Sequence, residues 1–268
     1  MPTLPLYQVD AFANRPFTGN PAAVVPLEAP IPEALMQDIA AENNLAETAF
    51  FHRQGDAFSL RWFTPTVEVD LCGHATLASG FVLMTELESQ LRAVTFRTRS
   101  GLLSVRRGEG DELVMELPAY PPAPADPDTG ARVAAALGAT PLEVWRAPNT
   151  TLIALLPSAA DVRRAAPDLA AVARFGTSLS ITAPGADEPR PVDFVSRYFA
   201  PAHGVPEDPV TGSSFTTLAP YWAARLGKPA LRARQVSARG GDIRCEDRGD
   251  RVLIAGQARL VITATIAY

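Results

Sequence analysis

Five side chains have the type and the surroundings to do chemistry: Glu47, Cys72, His74, Asp208 and Ser213. His74 lies in Asp70-Leu71-Cys72-Gly73-His74-Ala75-Thr76-Leu77-Ala78, where a glycine and small residues lead into apolar positions at Leu77, Phe81, Val82 and Met84–Leu87. That order predicts a helix N-terminus with His74 at its mouth. Bare N–H groups and the positive dipole end gather there, and together they form a site for an anion. Glu207-Asp208-Pro209-Val210-Thr211-Gly212-Ser213-Ser214 repeats the design, followed by Phe215, Leu218, Tyr221, Trp222 and Leu226 before Gly227. Gly73 and Gly212 read as turn residues whose amides would also face an anionic group. Glu47 stands apart as a charge directly ahead of an apolar strand, Thr48-Ala49-Phe50-Phe51.

The elements that must position these residues occur twice. Arg61-Trp62-Phe63-Thr64-Pro65 precedes the first stretch and Arg197-Tyr198-Phe199-Ala200-Pro201 the second. Further upstream, Ala22–Pro26, a helix near 32–42 and Glu47–Phe51 match Leu152–Pro157, a helix near 159–174 and Ser178–Thr182. The expectation is two homologous domains, 1–118 and 130–268, with the last strand free to return to the first. Proline-rich Leu117–Pro124 between them reads as a semi-rigid linker. Other strands are expected at 6–12, 57–63, 67–71, 93–99, 101–107, 112–117, 192–199, 231–237, 242–247, 251–255 and 258–266, and helices at 74–88 and 131–137. Short strands on tight turns argue for antiparallel or mixed pairing rather than a doubly wound parallel sheet. The fold class is therefore α/β of the α+β type, each domain a mixed or antiparallel sheet wrapped around a central apolar helix. Two such domains facing each other would bring both helix starts into one cleft.

Composition narrows the function. The 268 residues, 47% of them hydrophobic, suffice for two cores. A net charge of −5 without a Lys/Arg cluster argues against nucleic acid or an anionic membrane as partner. A small-molecule substrate fits better. Apolar runs fall short of a membrane span, and the first fifteen residues lack the pattern of a leader, so a soluble cytoplasmic protein is expected. Cys72 and Cys245 are the two cysteines and lack ligand spacing, so no disulfide and no metal are expected.

The chain resembles the PhzF-like family, named for phenazine biosynthesis, which has the diaminopimelate epimerase-like fold. The resemblance spans nearly the whole sequence. It rests on Asp10-Ala11-Phe12, Phe17–Pro21, Glu47-Thr48-Ala49-Phe50, Phe63-Thr64-Pro65 through Cys72-Gly73-His74-Ala75-Thr76, and Glu207–Ser213. It implies two pseudo-symmetric domains, an active site between them, no cofactor, and often a homodimer. The family's characterised isomerase moves a proton within a dihydro-hydroxyanthranilate using a glutamate, which matches Glu47, with polar help at the positions of His74, Asp208 and Ser213. Diaminopimelate epimerases use one cysteine from each domain. Cys72 falls where the first would be, but Pro209 or its neighbours take the place of the second, which disfavours a two-thiol racemase.

Each residue also has a plain structural role open to it. Asp208, Thr211, Ser213 and Ser214 compete to cap a helix, and Cys72 suits a small buried hydrophobe better than a thiolate. His52 and His203 read as surface or loop residues, and Trp62 and Tyr198 as core. Between apolar walls Glu47 would have its pKa raised, while His74 at a helix start would be biased toward neutral. The leading function is a cofactor-independent isomerase of a small carboxylate-bearing metabolite, with Glu47 as general acid/base, His74 and Asp208 assisting, and Gly73, Gly212, Ser213 and Cys72 holding substrate. Two alternatives stand beside it. One is a hydrolase with Ser213 as nucleophile, His74 as base and Asp208 as orienter, and the other is a non-catalytic metabolite-binding protein.

Overall fold

The computed structural model describes residues 1–268. In chain order the elements are β1 (Thr3–Ala11), β2 (Asn20–Leu27), α1 (Glu33–Asn43), β3 (Glu47–Gln54), β4 (Ala57–Phe63), β5 (Glu68–Val69), α2 (Gly73–Val82), β6 (Ala93–Thr98), β7 (Gly101–Arg107) and β8 (Leu113–Pro118). There follow β9 (Ala123–Pro124), α3 (Pro127–Leu137), β10 (Glu143–Arg146), β11 (Leu152–Leu155), α4 (Ala159–Arg164), α5 (Leu169–Ala173), β12 (Leu179–Pro184), β13 (Phe194–Ala200), β14 (Val205–Asp208), α6 (Phe215–Leu226), β15 (Ala230–Gln235), β16 (Gly241–Asp247), β17 (Arg251–Gly256) and β18 (Ala258–Ala267). Two compact units result, Met1–Glu116 with Ala255–Tyr268, and Leu117–Ile254.

In the first unit β2 and β3 are parallel, β3 and β4 antiparallel, β4 and β5 antiparallel, and β4 and β6 parallel, with β7 antiparallel to β6. β1 lies between β2 and the C-terminal strand β18, antiparallel to both. α1 sets Met36, Ile39 and Ala40 on Ala23, Val25, Phe50 and Phe63. α2 packs against β1, β2, β3, β7 and β18. Covered by helices on both faces, β2 has no need of alternation, and this accounts for its unbroken Ala22-Ala23-Val24-Val25. Nine of the ten residues of α2 are buried, so the strands enclose it as its all-round apolar pattern requires. Gly80 permits this closeness: a Cβ there would lie 2.7 Å from Val105 Cγ1 of β7.

The second unit repeats the pairing plan. β11 and β12 are parallel, β12 and β13 antiparallel, β13 and β14 antiparallel, β13 and β15 parallel, and β15 and β16 antiparallel. α6 is buried from Phe215 to Ala223, and Trp222 stacks on Phe194 at 5.3 Å. Pro220 lies inside α6 and cannot donate to the carbonyl of Thr216. Tyr120 N–H makes that bond instead, at 2.8 Å.

Several expectations need correction. The helix near 159–173 is two short ones, because Pro167 forces the residue before it away from helical geometry. α2 ends as an α-helix at Val82, and a single π turn carries the chain from Leu83 to Leu87. Leu117–Pro124 is no free spacer: it holds the end of β8, the Tyr120 bond and β9, which pairs with β10. The strand at 67–71 shrinks to Glu68–Val69, and β10 and β14 were not foreseen. Gly73 and Gly212, read as turn residues, are each the first residue of a helical turn.

Candidate active site

Three separate elements deliver side chains to one place in the first unit. Asn20 is the first residue of β2 and Glu47 the first of β3, and parallel pairing with Ala22 opposite Glu47 puts both at the same end of the sheet. α2 begins at that end, with Cys72 as its N-cap residue and His74 in its first turn. His74 Nε2 lies 3.1 Å from Glu47 Oε2. On the far side of the ring, Nδ1 is 3.2 Å from Asn20 Nδ2 and 3.5 Å from Cys72 Sγ. Asn20 is fully buried, and His74 and Cys72 are 4% and 6% exposed.

The close approach of Glu47 and His74 lacks hydrogen-bond alignment, and neither Oε2 nor Nε2 has another partner. Two buried polar atoms are thus held close yet unsatisfied, a costly state in a fold and a common one at sites of chemistry. With the Asn20 amide nitrogen as donor, Nδ1 accepts and the ring proton sits on Nε2, toward Glu47. Turning the amide over would offer its oxygen to a protonated Nδ1. Asn20 can therefore serve the neutral ring and the imidazolium alike.

Charge states differ from the sequence expectation for both residues. Burial works to raise the Glu47 pKa, but the charge of His74 and the close polar contacts of His74 and Cys72 outweigh it, leaving the carboxyl below its ordinary range. Burial likewise works against an imidazolium at His74, yet Cys72 and above all Glu47 hold it well above the usual histidine range. We give Glu47 the larger share because the Cys72 thiol, pushed up to about 11 by burial and the Glu47 charge, is neutral near pH 7. The pair is a carboxylate facing an imidazolium, not a protonated acid beside a neutral ring. The expectations failed because each weighed a residue against its apolar walls or helix end, without the partner opposite.

Glu47, Cys72 and His74 also offer one carboxylate oxygen, one sulfur and one ring nitrogen within 4.8 Å of one another. These are the donors a zinc ion would use, and loss of the Cys72 proton would accompany its binding.

In the second unit, Thr211 Oγ1 donates to Asp208 Oδ2 at 2.5 Å. Gln235 spans the same turn, donating to the Asp208 carbonyl at 2.6 Å and accepting from Thr211 N–H at 2.9 Å. Ser214 Oγ donates to the Thr211 carbonyl, and Thr216 Oγ1 to that of Ser213. The Asp208 carboxylate thus shapes the turn into which Gly212 and Ser213 are built. Both ring nitrogens of His74 face Glu47, Asn20 and Cys72, so the histidine of a Ser213 triad is already engaged. A cavity of about 300 Å³ is lined by Arg132, Asp168, Arg174 and Phe175 and holds none of the expected site residues.

Asn20 and Gln235 escaped the sequence reading of the site. Asn20 sits among turn residues that read as a loop, although β2 starts there. Gln235 did leave a signal, since it occupies the buried phase of β15 after Leu231 and Ala233, where an apolar residue belongs.

The family profile described as phenazine biosynthesis-like protein, PhzC-PhzF, matches residues 9–264. The chain belongs to this family. It is 48% identical over 264 residues to an uncharacterized isomerase of Pseudomonas aeruginosa, with 98% of each chain covered. A PhzF-family structure from Enterococcus faecalis superposes with a TM-score of 0.91 at 41% identity, covering 100% of both chains. A hydroxyproline epimerase from Agrobacterium vitis, with bound trans-4-hydroxy-L-proline, shares the fold at 12% identity and a TM-score of 0.61, covering 98% of this chain and 92% of its own. These PhzF-family relatives place the chain in the isomerase class, on a fold shared with epimerases. No helix is long and apolar enough to cross a membrane.

Proposed function

We propose that this PhzF-family protein is a cofactor-independent isomerase that moves a proton between carbons of a small carboxylate-bearing metabolite, with Glu47 as general acid/base. The observation that carries the reading is the buried, unaligned pair of Glu47 Oε2 and His74 Nε2 at 3.1 Å. A carboxylate kept ionised by its neighbour is ready to accept a proton at neutral pH, and the imidazolium beside it is ready to give one. Removing the proton from carbon demands a positioned acceptor sheltered from water, and the burial of this cluster supplies the shelter. As the Glu47 carboxylate takes the substrate proton, His74 loses its counter-charge and its own proton becomes easier to release. The two titrations are coupled in the direction that return of a proton at a second carbon requires.

The substrate carboxylate is assigned to the start of α2. That end has no acidic residue in its first turn and no side-chain cap, so the Gly73 and His74 amides are available to an anion. Within the second unit, Gly212 and Ser213 are proposed to hold substrate and Asp208 to assist catalysis, acting on the turn it shares with Thr211. The test is proton NMR in D2O with cyclic and amino-acid-like carboxylates that raise the melting temperature. An isomerase of this kind exchanges a substrate C–H for deuterium. Cleavage without exchange would replace the proposal with the Ser213 hydrolase, and stabilisation with neither would leave a binding protein.

A further inference from the structure

One arrangement occurs in both units at the same offset from the site residues. In the first, Arg61 of β4 donates from Nε to Glu68 Oε1 at 2.7 Å and from Nη2 to Oε2 at 2.6 Å. In the second, Arg197 of β13 donates from Nε to Glu207 Oε1 at 2.7 Å and from Nη2 to Oε2 at 2.8 Å. Each glutamate sits on the short strand antiparallel to its arginine's strand, five residues ahead of Gly73 or Gly212. We propose that these two arginine–glutamate forks are positioning pairs: they fix where the chain leaves the sheet, and through it the placement of Cys72 and His74 in one unit and Asp208 in the other.

The surroundings support a role in registry rather than simple adhesion. β5 is two residues long, and its two ladder pairs, Trp62 with Val69 and Phe63 with Glu68, are too few to hold a loop end in place. The Glu68 side chain is 8% exposed, so the fork is sheltered from the screening that makes surface pairs weak. A buried ion pair stabilises a fold little better than an apolar pair of the same volume, whereas its two-point planar geometry specifies one register. The arginines also reach the helix that links the parallel strands. Arg61 pairs with Glu33 in the first turn of α1, and Arg197 Nη1 donates to the carbonyls of Val162 at 3.1 Å and Ala165 at 2.6 Å, at the end of α4. Each fork therefore ties two elements of one unit, β4 and α1 or β13 and α4, to the short strand that feeds the site. Arg99, 2.5 Å from Glu68, adds charge on the first fork and has no counterpart among the contacts of Glu207.

The inference takes from the proposed function only that the His74 cluster is the site, and its test needs no turnover. The chain has three histidines, so ring-nitrogen NMR can follow His74 alone once His74→Gln has assigned its signals. Arg61→Lys keeps the charge and loses the fork; Glu68→Gln keeps the shape but loses the charge and turns one of the two acceptors into a donor. Both are expected to lower the His74 titration midpoint toward the ordinary value of about 6.5 and to change its ring-nitrogen pattern. Arg53→Ala, which breaks an exposed ion pair with Glu88, is the control and should leave both unchanged. For the second unit, Arg197→Lys is expected to speed hydrogen exchange at the Thr211 N–H held by Gln235. An unchanged His74 midpoint and pattern in Arg61→Lys and Glu68→Gln, or a shift in Arg53→Ala as large as theirs, would overturn the proposal. Neither result would touch the assignment of Glu47 as base.

Discussion

Replacing Glu47 by glutamine should make folding stability depend on pH in a manner the wild type does not. At 3.1 Å, with an effective dielectric constant near 20, the attraction between carboxylate and imidazolium is about 5 kcal/mol before desolvation is subtracted. Burial costs each ion several kcal/mol, so the net worth of the pair is small and its proton linkage is the better observable. Glu47 has its pKa lowered on folding, so its contribution is present above its ordinary value of 4.5 and is lost as pH falls through the folded value. His74 has its pKa raised, so its contribution is complete below 6.5 and is lost as pH rises through the folded value. Between these ordinary values the wild-type pair adds no slope. In Glu47→Gln the opposing carboxylate is gone, and burial outweighs what the neutral Cys72 thiol supplies and pushes His74 down, so the unfolded chain takes up a proton below pH 6.5 that the folded chain refuses. The variant then loses up to about 1.4 kcal/mol per pH unit against wild type. From pH 6.5 to 4.5 the gap should widen by up to about 2.7 kcal/mol, or roughly 5 to 10 °C in Tm. Above 6.5 it should narrow. Urea unfolding of both proteins at pH 5, 7 and 9 measures this, and a gap that is independent of pH, or largest at pH 9, would refute the charge assignment.

Other expectations follow from single contacts. With its thiol pushed up to about 11, Cys72 should react slowly with iodoacetamide at pH 7, and faster in Glu47→Gln, where the neighbouring charge that helps raise it is gone; free-thiol rates in wild type would contradict this. Gly80→Ala should cost about 1–3 kcal/mol by forcing a methyl group against Val105, less the gain of up to about 1 kcal/mol from better helix propensity. Val105→Ala in the same chain should recover part of the loss, and strict additivity in that double-mutant cycle would sink the argument. Gln235→Leu leaves the Thr211 N–H and the Asp208 carbonyl without their buried partner, at about 1–3 kcal/mol each, and should speed exchange of the Thr211 amide.

The duplicated pattern was plain in the sequence because it is written in local signals. Gly227 closes α6 in left-handed conformation, the all-apolar helices are enclosed, and continuous apolar strands lie in parallel pairs. α3 starts four residues earlier than its apolar spacing suggested because Asp126 caps it and Pro127 opens it, a start signal the sequence did contain. What stayed hidden depends on groups distant in the chain. The charge state of His74 is set by a residue 27 positions away and its far nitrogen by one 54 positions away, and no periodicity encodes either. Gln235 holds the Asp208 turn across another such gap.

The most direct test of the central claim compares wild type with Glu47→Gln in D2O on the carboxylate that wild type turns over, with a melting curve for each. Both proteins are expected to be folded at the assay pH, with near-normal ligand stabilisation, and C–H exchange slowed by roughly 10²–10⁴-fold in the variant. A folded Glu47→Gln protein exchanging at the wild-type rate would contradict it and move the base to Asp208 or Cys72.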